Sequence, residues 1–211
     1  MTITTVAVGE LGTNCYIAAN AAGDAAVIDP GADAARIREA LDRAGLTLRA
    51  VLLTHAHFDH IDAVDALIDG QDIPVYCHKD DIPALTDGSL NLSAWFDTPH
   101  GVRAAATPLR EGDTVTVADM AFTVLHTPGH TVGSVCYQHG DILFAGDTLF
   151  CESVGRTDFP GGDTATLLAS LRRLLALAPT TAVYPGHDAP TTVAHERQYN
   201  PYVRYIKGEL L

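Results

Sequence analysis

The stretch "LLTHAHFDHID", from Leu52 to Asp62, decides how this sequence is interpreted. Its apolar beginning ends at Thr54, and three histidines and one aspartate then fall within six residues: His55, His57, Asp59 and His60. Residues two apart in an extended chain point to the same side, so His55 and His57 share one direction. Imidazole nitrogens and carboxylate oxygens are ligands that Zn²⁺ and Fe²⁺ accept. The stretch therefore predicts a metal site where a buried strand ends and a helix begins.

Three further polar residues follow predicted strands in the second half of the chain. They are His130 in "HTPGHT", Asp147 in "LFAGDTLF" and His187 in "VYPGHD". A glycine directly precedes each one, and a residue without a side chain permits a sharp turn and a close approach of the backbone. One such pair is weak evidence, but four strand-end clusters in one short chain indicate that these side chains meet.

Composition limits the class of protein. The chain has 211 residues and a formal net charge of −13, and no cluster of Lys or Arg offsets this charge. Such a field repels a phosphate backbone, so nucleic acid is not an expected partner. No apolar run approaches the roughly 20 residues of a membrane span. Because the sequence also starts without a signal peptide and its cysteines lack CxxC spacing, we expect a cytoplasmic protein without a membrane partner.

Periodicity predicts the order of the elements. Short β-prone runs between turn residues predict strands, whereas amphipathic patterns predict helices over 33–45, 59–70 and 163–179 and a helical tail over 192–206. Residues 114–127 are predicted as one strand, and 86–112, which lack periodicity, as a functional loop or short helices. Strands followed by helices occur twice, which suits two sheets between helices. We expect an α+β fold in a single domain, 1–211, with pseudo-duplicated halves of about 1–100 and 101–211.

The motifs together resemble a known family. The series HxHxDH, TPGHT, GD and PGH, accompanied by "GTNCYI", "VIDPG", "GRTDFPGGD" and "ERQYNP", is similar to the metallo-β-lactamase superfamily, and within it to small glyoxalase II-like (hydroxyacylglutathione hydrolase-like) metallohydrolases. The resemblance implies a four-layer αββα sandwich. It also implies one metal site of His55, His57 and His130 and a second of Asp59, His60 and His187, with Asp147 bridging the two.

The number of candidate ligands supports two ions independently, because seven are too many for one four-coordinate zinc. We expect two divalent metal ions, Zn²⁺ in the first instance with iron as the alternative. A hydroxide shared by the ions would attack a carbonyl, Asp59 would help to orient the water, and a thiolate would leave without a general acid. The predicted function is hydrolysis of a small-molecule thioester with a hydroxyacyl group.

Two alternatives stay open at this point. "GRTDF" and "YPGHD" also resemble persulfide dioxygenases, which use a single iron, and a non-catalytic metal-binding protein is the third hypothesis. Glutathione cannot be assumed as the thiol, because the short segment after His187 holds few basic side chains: Arg197, Arg204 and Lys207 beyond His195. Arg156 is expected either to pair with Asp158 or to bind a substrate carboxylate. Phe150, Phe159 and Tyr184 are expected either to line a pocket or to lie in the core.

Overall fold

The first half of the chain forms a mixed six-stranded sheet. The computed structural model describes residues 1–96 and 100–206, so the Lys207 named above lies outside the described residues. The strands are β1 (Thr2–Val8), β2 (Thr13–Ala19), β3 (Asp24–Ile28), β4 (Thr47–Leu52), β5 (Val75–His78) and β6 (Ala106–Leu109), and they lie in chain order. β1, β2 and β3 pair antiparallel, whereas β3 to β6 run parallel. Parallel pairing places the carboxyl ends of β3, β4 and β5 at one edge.

The second half forms another mixed six-stranded sheet. Its strands are β7 (Thr114–Val117), β8 (Met120–His126), β9 (Val135–His139), β10 (Ile142–Gly146), β13 (Ala182–Pro185) and β14 (Thr191–Thr192), with a small hairpin of β11 (Leu149–Phe150) and β12 (Ser153–Val154) between them. The order is β14-β13-β10-β9-β8-β7. β10 and β13 are parallel, so the residues that follow them, which include Asp147 and His187, leave the sheet at the same edge. Descent of the two halves from one duplicated unit stays a prediction.

Helices cover the outer face of each sheet. The first sheet carries α1 (Ala34–Ala44), α2 (Phe58–Ile61) and α3 (Val64–Ile68), and the second carries α4 (Thr164–Leu174), α5 (Val193–Tyr199) and α6 (Pro201–Ile206). Ile37 and Leu67 pack with Val51 on one outer face, Leu171 and Val203 with Leu143 on the other. Between the sheets lies a third apolar layer that contains Tyr16, Leu52, Phe122, Tyr137 and Phe144. The expected αββα sandwich is therefore confirmed.

Two predicted elements were wrong, and both have a local cause. The helix predicted over 59–70 is split into α2 and α3, because the Ala63 N–H bonds to the Pro30 carbonyl at 3.0 Å instead of continuing one helix. The strand predicted over 114–127 is a hairpin: Val117 pairs with Met120, and the two residues between them make the turn, with Ala118 at φ 54°.

Other predicted ends agree with the structure in part: the helix predicted over 163–179 ends at Leu174, and the helical tail is divided at Asn200 into α5 and α6. α1 ends at Gly45, which adopts a left-handed φ of 65°. Asp33 precedes α1 but does not cap it; its carboxylate instead accepts a hydrogen bond from the Gly9 N–H at 3.0 Å. The aperiodic region holds a 3-10 helix at Ser93–Phe96 and strand β6. Among the helices described, none combines the length and the apolar character needed to cross a membrane.

Candidate metal centre

The seven predicted ligands lie together at one edge of the sandwich. His55, His57, Asp59 and His60 follow β4 of the first sheet, whereas His130, Asp147 and His187 follow β8, β10 and β13 of the second. Their donor atoms form three overlapping groups, in each of which all atoms lie within 4.8 Å of one another: His55–His57–His130, His55–His60–Asp147 and Asp59–His60–His187. The strand ends of both sheets therefore contribute to one continuous cluster.

One end of the cluster is built around Asp59. His60 Nε2 lies 3.5 Å and His187 Nε2 lies 3.3 Å from Asp59 Oδ2. His60 Nε2 also lies 3.4 Å from Asp147 Oδ1, and His187 Nε2 lies 3.6 Å from Asp147 Oδ2. Four donors around a zinc ion at about 2.1 Å are roughly 3.4 Å apart in a tetrahedral arrangement. These separations therefore suit ligands around a common cation better than direct hydrogen bonds.

The other end contains three imidazoles. The rings of His55 and His57 have centroids 4.8 Å apart, and both lie within 4.8 Å of the His130 ring. His57 Nδ1 and His130 Nε2 are 2.9 Å apart, and His130 Nε2 lies 3.5 Å from Asp147 Oδ2. Asp147 thus contacts histidines of both ends, with one oxygen near His60 and the other near His130 and His187.

Unpaired polar atoms test whether these residues fit a metal. In the described part of the chain, buried His55 Nε2, His57 Nε2, His60 Nε2 and Asp147 Oδ1 have no hydrogen-bond partner. A buried polar atom without a partner costs about 1–3 kcal/mol, so several in one place require an explanation. A cation coordinated by nitrogen and carboxylate oxygen supplies one, and the donor set fits zinc or iron.

The protonation equilibria of the cluster agree with a cation site. Burial, together with the neighbouring imidazoles, holds the pKa of His55 and of His57 well below the ordinary value, which keeps each ring neutral with one nitrogen free of a proton. Burial opposes a charge on His60 as well, but Asp59, Asp147 and Asp29 raise its pKa to about 10. The buried carboxylates therefore favour a positive charge beside them, and a divalent ion would supply that charge.

Asp29 orients the β4 end of the cluster and was missed by sequence reasoning. It follows β3, its Oδ2 accepts from His60 Nδ1 at 2.9 Å, and it also accepts from Thr54 N–H and Oγ1 at 2.7 and 2.6 Å. A carboxylate on the outer nitrogen of a histidine fixes the ring so that the other nitrogen faces the metal. The signal was present in "VIDPG", because Asp29 also stands at the carboxyl end of a strand.

Asp81, after β5, is a second buried carboxylate that the sequence analysis did not identify. It accepts hydrogen bonds from Ala56 N–H at 3.1 Å, Thr131 Oγ1 at 2.8 Å and Gly133 N–H at 2.7 Å. Burial raises its pKa, whereas these three donors oppose the rise. Asp81 therefore ties the His55–His57 loop to the loop that carries His130.

Close backbone packing explains the glycine that precedes His187. A Cβ added to Gly186 would lie 2.1 Å from Asp147 Oδ1 and 2.8 Å from His60 Cε1. No side chain fits into that space, so only glycine allows the β13 strand end to approach the cluster.

A cavity of about 460 Å³ opens above the cluster. His57, Asp59, His130, Asp147 and His187 form its floor. Phe150 and Phe159 line it, so of the two alternatives the pocket holds for these residues. Tyr184 packs instead with Tyr16 and Phe144 between the sheets, so the core alternative holds for this residue.

Arg156 lies at the rim of this cavity and forms the expected ion pair. Its Nε and Nη2 donate to Asp158 Oδ1 and Oδ2, both at 2.7 Å, and its backbone carbonyl accepts from His130 Nδ1, also at 2.7 Å. The loop thus orients His130 through the main chain. Binding of a substrate by Arg156 stays a prediction.

The fold and the site define the class: an αββα sandwich with adjoining His/Asp clusters suited to metal at the carboxyl ends of its strands. The family model of the Metallo-beta-lactamase superfamily matches residues 8–187, and the chain belongs to this superfamily. The chain is 41% identical over 184 residues to the probable metallo-hydrolase YqgX of Bacillus subtilis, covering 84% of this chain and 86% of that protein. It is 32% identical over 210 residues to the hydroxyacylglutathione hydrolase GloC of Haemophilus influenzae, covering 96% and 98%.

Solved structures give the same assignment. The B3 metallo-beta-lactamase BLEG-1 superposes with a TM-score of 0.92 at 41% identity, over 96% of this chain and 99% of the other. TTHA1623, solved in a di-iron-bound form, superposes with a TM-score of 0.86 at 40% identity, over 94% and 99%. The high coverage on both sides means that the likeness extends over nearly the whole chain.

Proposed function

We propose that this protein is a dinuclear metal-dependent hydrolase that cleaves a thioester, with a hydroxyacyl thioester as the substrate. The observation that carries the proposal is the position of Asp147, whose two oxygens lie 3.4 to 3.6 Å from histidines at both ends of the cluster. One ion would be held by His55, His57 and His130. The other would be held by Asp59, His60 and His187, and Asp147 would bind both ions. A centre of this kind serves two ions that share a water.

The chemistry divides between the ions and the protein. When bound, two divalent ions lower the pKa of a shared water toward 7 and polarise a carbonyl oxygen. Asp59 faces the cavity and stays ionised, because His60, His187 and Thr13 outweigh its burial and hold its pKa below the ordinary value. Thr13 Oγ1 donates to Asp59 Oδ2 at 2.8 Å and fixes the carboxylate. Asp59 can therefore accept a hydrogen bond from the attacking water and orient it, but it cannot donate a proton.

A thiolate is a suitable leaving group because it does not need a general acid to donate a proton to it. In the hydrolysis, the attacking water loses a proton to solvent and forms an oxygen–carbon bond with the thioester carbonyl. The carbon–sulfur bond then breaks, and its electron pair leaves with sulfur. Because a thiol has a pKa near 8.5, the thiolate departs without prior protonation. An ester or amide has a more basic leaving group and would need a proton from the protein, and the histidines that line the cavity would be engaged as metal ligands.

The relatives support the proposal at two levels. The name of GloC gives a hydroxyacylglutathione as its substrate, and that of YqgX gives metal-dependent hydrolysis without a substrate. The di-iron form of TTHA1623 supports two ions and keeps iron as the alternative to zinc.

Metal analysis combined with two assays tests the proposal. Natively purified protein should hold two ions per chain, zinc in excess of iron, and should release thiol from S-lactoylglutathione or a simpler thioester of lactate. One iron per chain, with stoichiometric oxygen uptake on glutathione persulfide and no thiol release, would establish the persulfide dioxygenase alternative instead.

The likeness to BLEG-1 justifies a third assay, on a chromogenic cephalosporin, because a β-lactam also reacts by attack of water on a carbonyl. We expect kcat/KM for the cephalosporin to stay below the value for the thioester. A higher kcat/KM for the cephalosporin than for the thioester would show that the substrate is a cyclic amide and not a thioester.

A further inference from the structure

Large apolar side chains lie at the mouth of the cavity and next to it: Leu11 and Phe96 line the cavity, and Trp95 contacts the lining residue Phe159. Leu11, Trp95 and Phe96 are exposed over 51%, 59% and 55% of their surface. Single exposed apolar residues are common, but a contiguous group at the opening of a cavity marks a binding surface. We call the four aromatic residues Phe58, Trp95, Phe96 and Phe159 the aromatic rim.

The aromatic rim is continuous with the metal centre. The Trp95 and Phe159 rings meet edge to face with centroids 5.4 Å apart, and Phe159 meets His57 in the same manner at 5.8 Å. Phe96, the residue after Trp95, lies with its ring centroid 4.7 Å from that of Phe58. If the reacting carbonyl of a substrate lies at the histidines, a ring elsewhere in the substrate would contact these aromatic side chains where the substrate extends out of the cavity.

A second cavity extends this surface away from the metal centre. It has a volume of about 440 Å³ and shares Leu11, Phe58, Asp59 and Phe96 with the first. The shared residues make the two cavities one continuous groove that extends from the metal centre past Leu11 and Phe58.

The charges along the groove disfavour an anionic substrate. Among the described residues that line the two cavities, Arg156 is the only arginine or lysine, and Asp158 already pairs with its guanidinium. The Arg156 guanidinium also lies 4.0 Å above the Phe159 ring. Three carboxylates outside the metal centre, those of Glu10, Asp62 and Asp188, line the groove as well, and the Asp62 carboxylate contacts the His100 ring. Away from the metal centre, a thiol with free carboxylates, such as glutathione, would meet these carboxylates and, among the described lining residues, no lysine or arginine other than the paired Arg156.

We propose that the thiol part of the substrate is uncharged and carries an aromatic ring, which lies against Trp95, Phe96 and Phe159. This inference rests on the proposed thioester hydrolysis and names the leaving group of that reaction. Aromatic contacts supply the binding, and the acidic groove excludes glutathione and similar anionic thiols.

Three thioesters of lactate that differ only in the thiol test the inference with the metal-loaded enzyme: the benzyl thioester, the methyl thioester and lactoylglutathione. Each rate is divided by its hydroxide-catalysed rate, which removes differences in leaving-group reactivity. We expect kcat/KM for the benzyl thioester to exceed the other two roughly tenfold or more. Trp95→Ala and Phe96→Ala should each reduce the benzyl-to-methyl ratio several-fold, whereas Tyr205→Ala, a change at an aromatic residue 62% exposed on α6, should not.

Fluorescence provides a readout that does not need turnover. Trp95 is the single tryptophan of the chain, so its emission reports on the rim alone. A ketone analogue of the benzyl thioester, with a methylene in place of sulfur, should change this emission saturably, and the methyl analogue should not.

The outcomes separate the two proposals. If lactoylglutathione is the better substrate, or if both rim variants leave the benzyl-to-methyl ratio unchanged, the inference on the thiol is overturned and thioester hydrolysis stands. If none of the three thioesters is cleaved, the proposed function is overturned and the inference with it.

Discussion

At the scale of single residues, Asp147 connects the two ends of the metal centre. One carboxylate oxygen lies 3.4 Å from His60 Nε2 and the other lies 3.5 Å from His130 Nε2. Asp147→Ala should therefore remove a ligand from both ions and reduce activity by at least about a thousandfold, because the two ions act as a unit. Elemental analysis should show that both ions are depleted, whereas Asp119→Ala, which changes an exposed aspartate, keeps them. Loss of only one ion would contradict the bridging position.

Asp29 acts on the metal through a histidine, so its replacement should have a graded effect. Asp29→Asn removes the charge that His60 Nδ1 and the Thr54 donors face. Removing such an outer carboxylate lowers metal affinity or activity about 10- to 100-fold. Competition with a chromogenic zinc chelator measures this directly. The control is Asp24→Asn, which removes the charge that pairs with Arg49 at the opposite end of β3. Equal affinities of the two variants would show that Asp29 has no part in positioning His60.

At the scale of elements, the ends of the strands position the site, and this much could be predicted. Apolar runs followed by His or Asp located His130, Asp147 and His187, all of which the structure brings together with the "THAHFDH" stretch. The sequence did not reveal which hydrogen bonds cross between elements. The break between α2 and α3 depends on the Pro30 carbonyl, and the role of Asp29 depends on the parallel pairing of β3 with β4. Such contacts join residues about 30 positions apart, which local patterns do not register.

The approach of β13 to β10 leads to a prediction at the same scale. Gly186→Ala would place a methyl group 2.1 Å from Asp147 Oδ1, so β13 must move away or Asp147 must turn. Since the added group is small and the core lies elsewhere, we expect the protein to fold but to lose more than about tenfold in metal affinity. Circular dichroism and zinc titration test the two halves of this expectation. Gly140→Asn, at a hairpin turn with open space around it, is the control. Unchanged zinc binding in Gly186→Ala would disprove the steric argument.

At the scale of the whole molecule, metal bound in the cluster would join the two sheets. The ligands that follow β4 are attached to the first sheet, and the ligands that follow β8, β10 and β13 are attached to the second. Each proposed site therefore contains side chains from both sheets. A ligand that binds only the folded state at 1,000 times its Kd stabilises that state by about 4 kcal/mol. For a chain of this size, such a gain corresponds to a rise in Tm on the order of 10 °C.

Removal of the metal should therefore lower the thermal stability of the whole sandwich. Dialysis against a chelator should reduce Tm by an amount on the order of 10 °C. Added zinc should restore the original Tm, because the buried carboxylates and imidazoles then share a cation again. The unfolding transition should move as one step, since the centre belongs to both sheets. In Asp147→Ala the chelator should have little further effect, because metal is already depleted from both sites. A Tm that is the same with and without chelator in the unmodified protein would mean that the ions do not contribute to holding the sheets together.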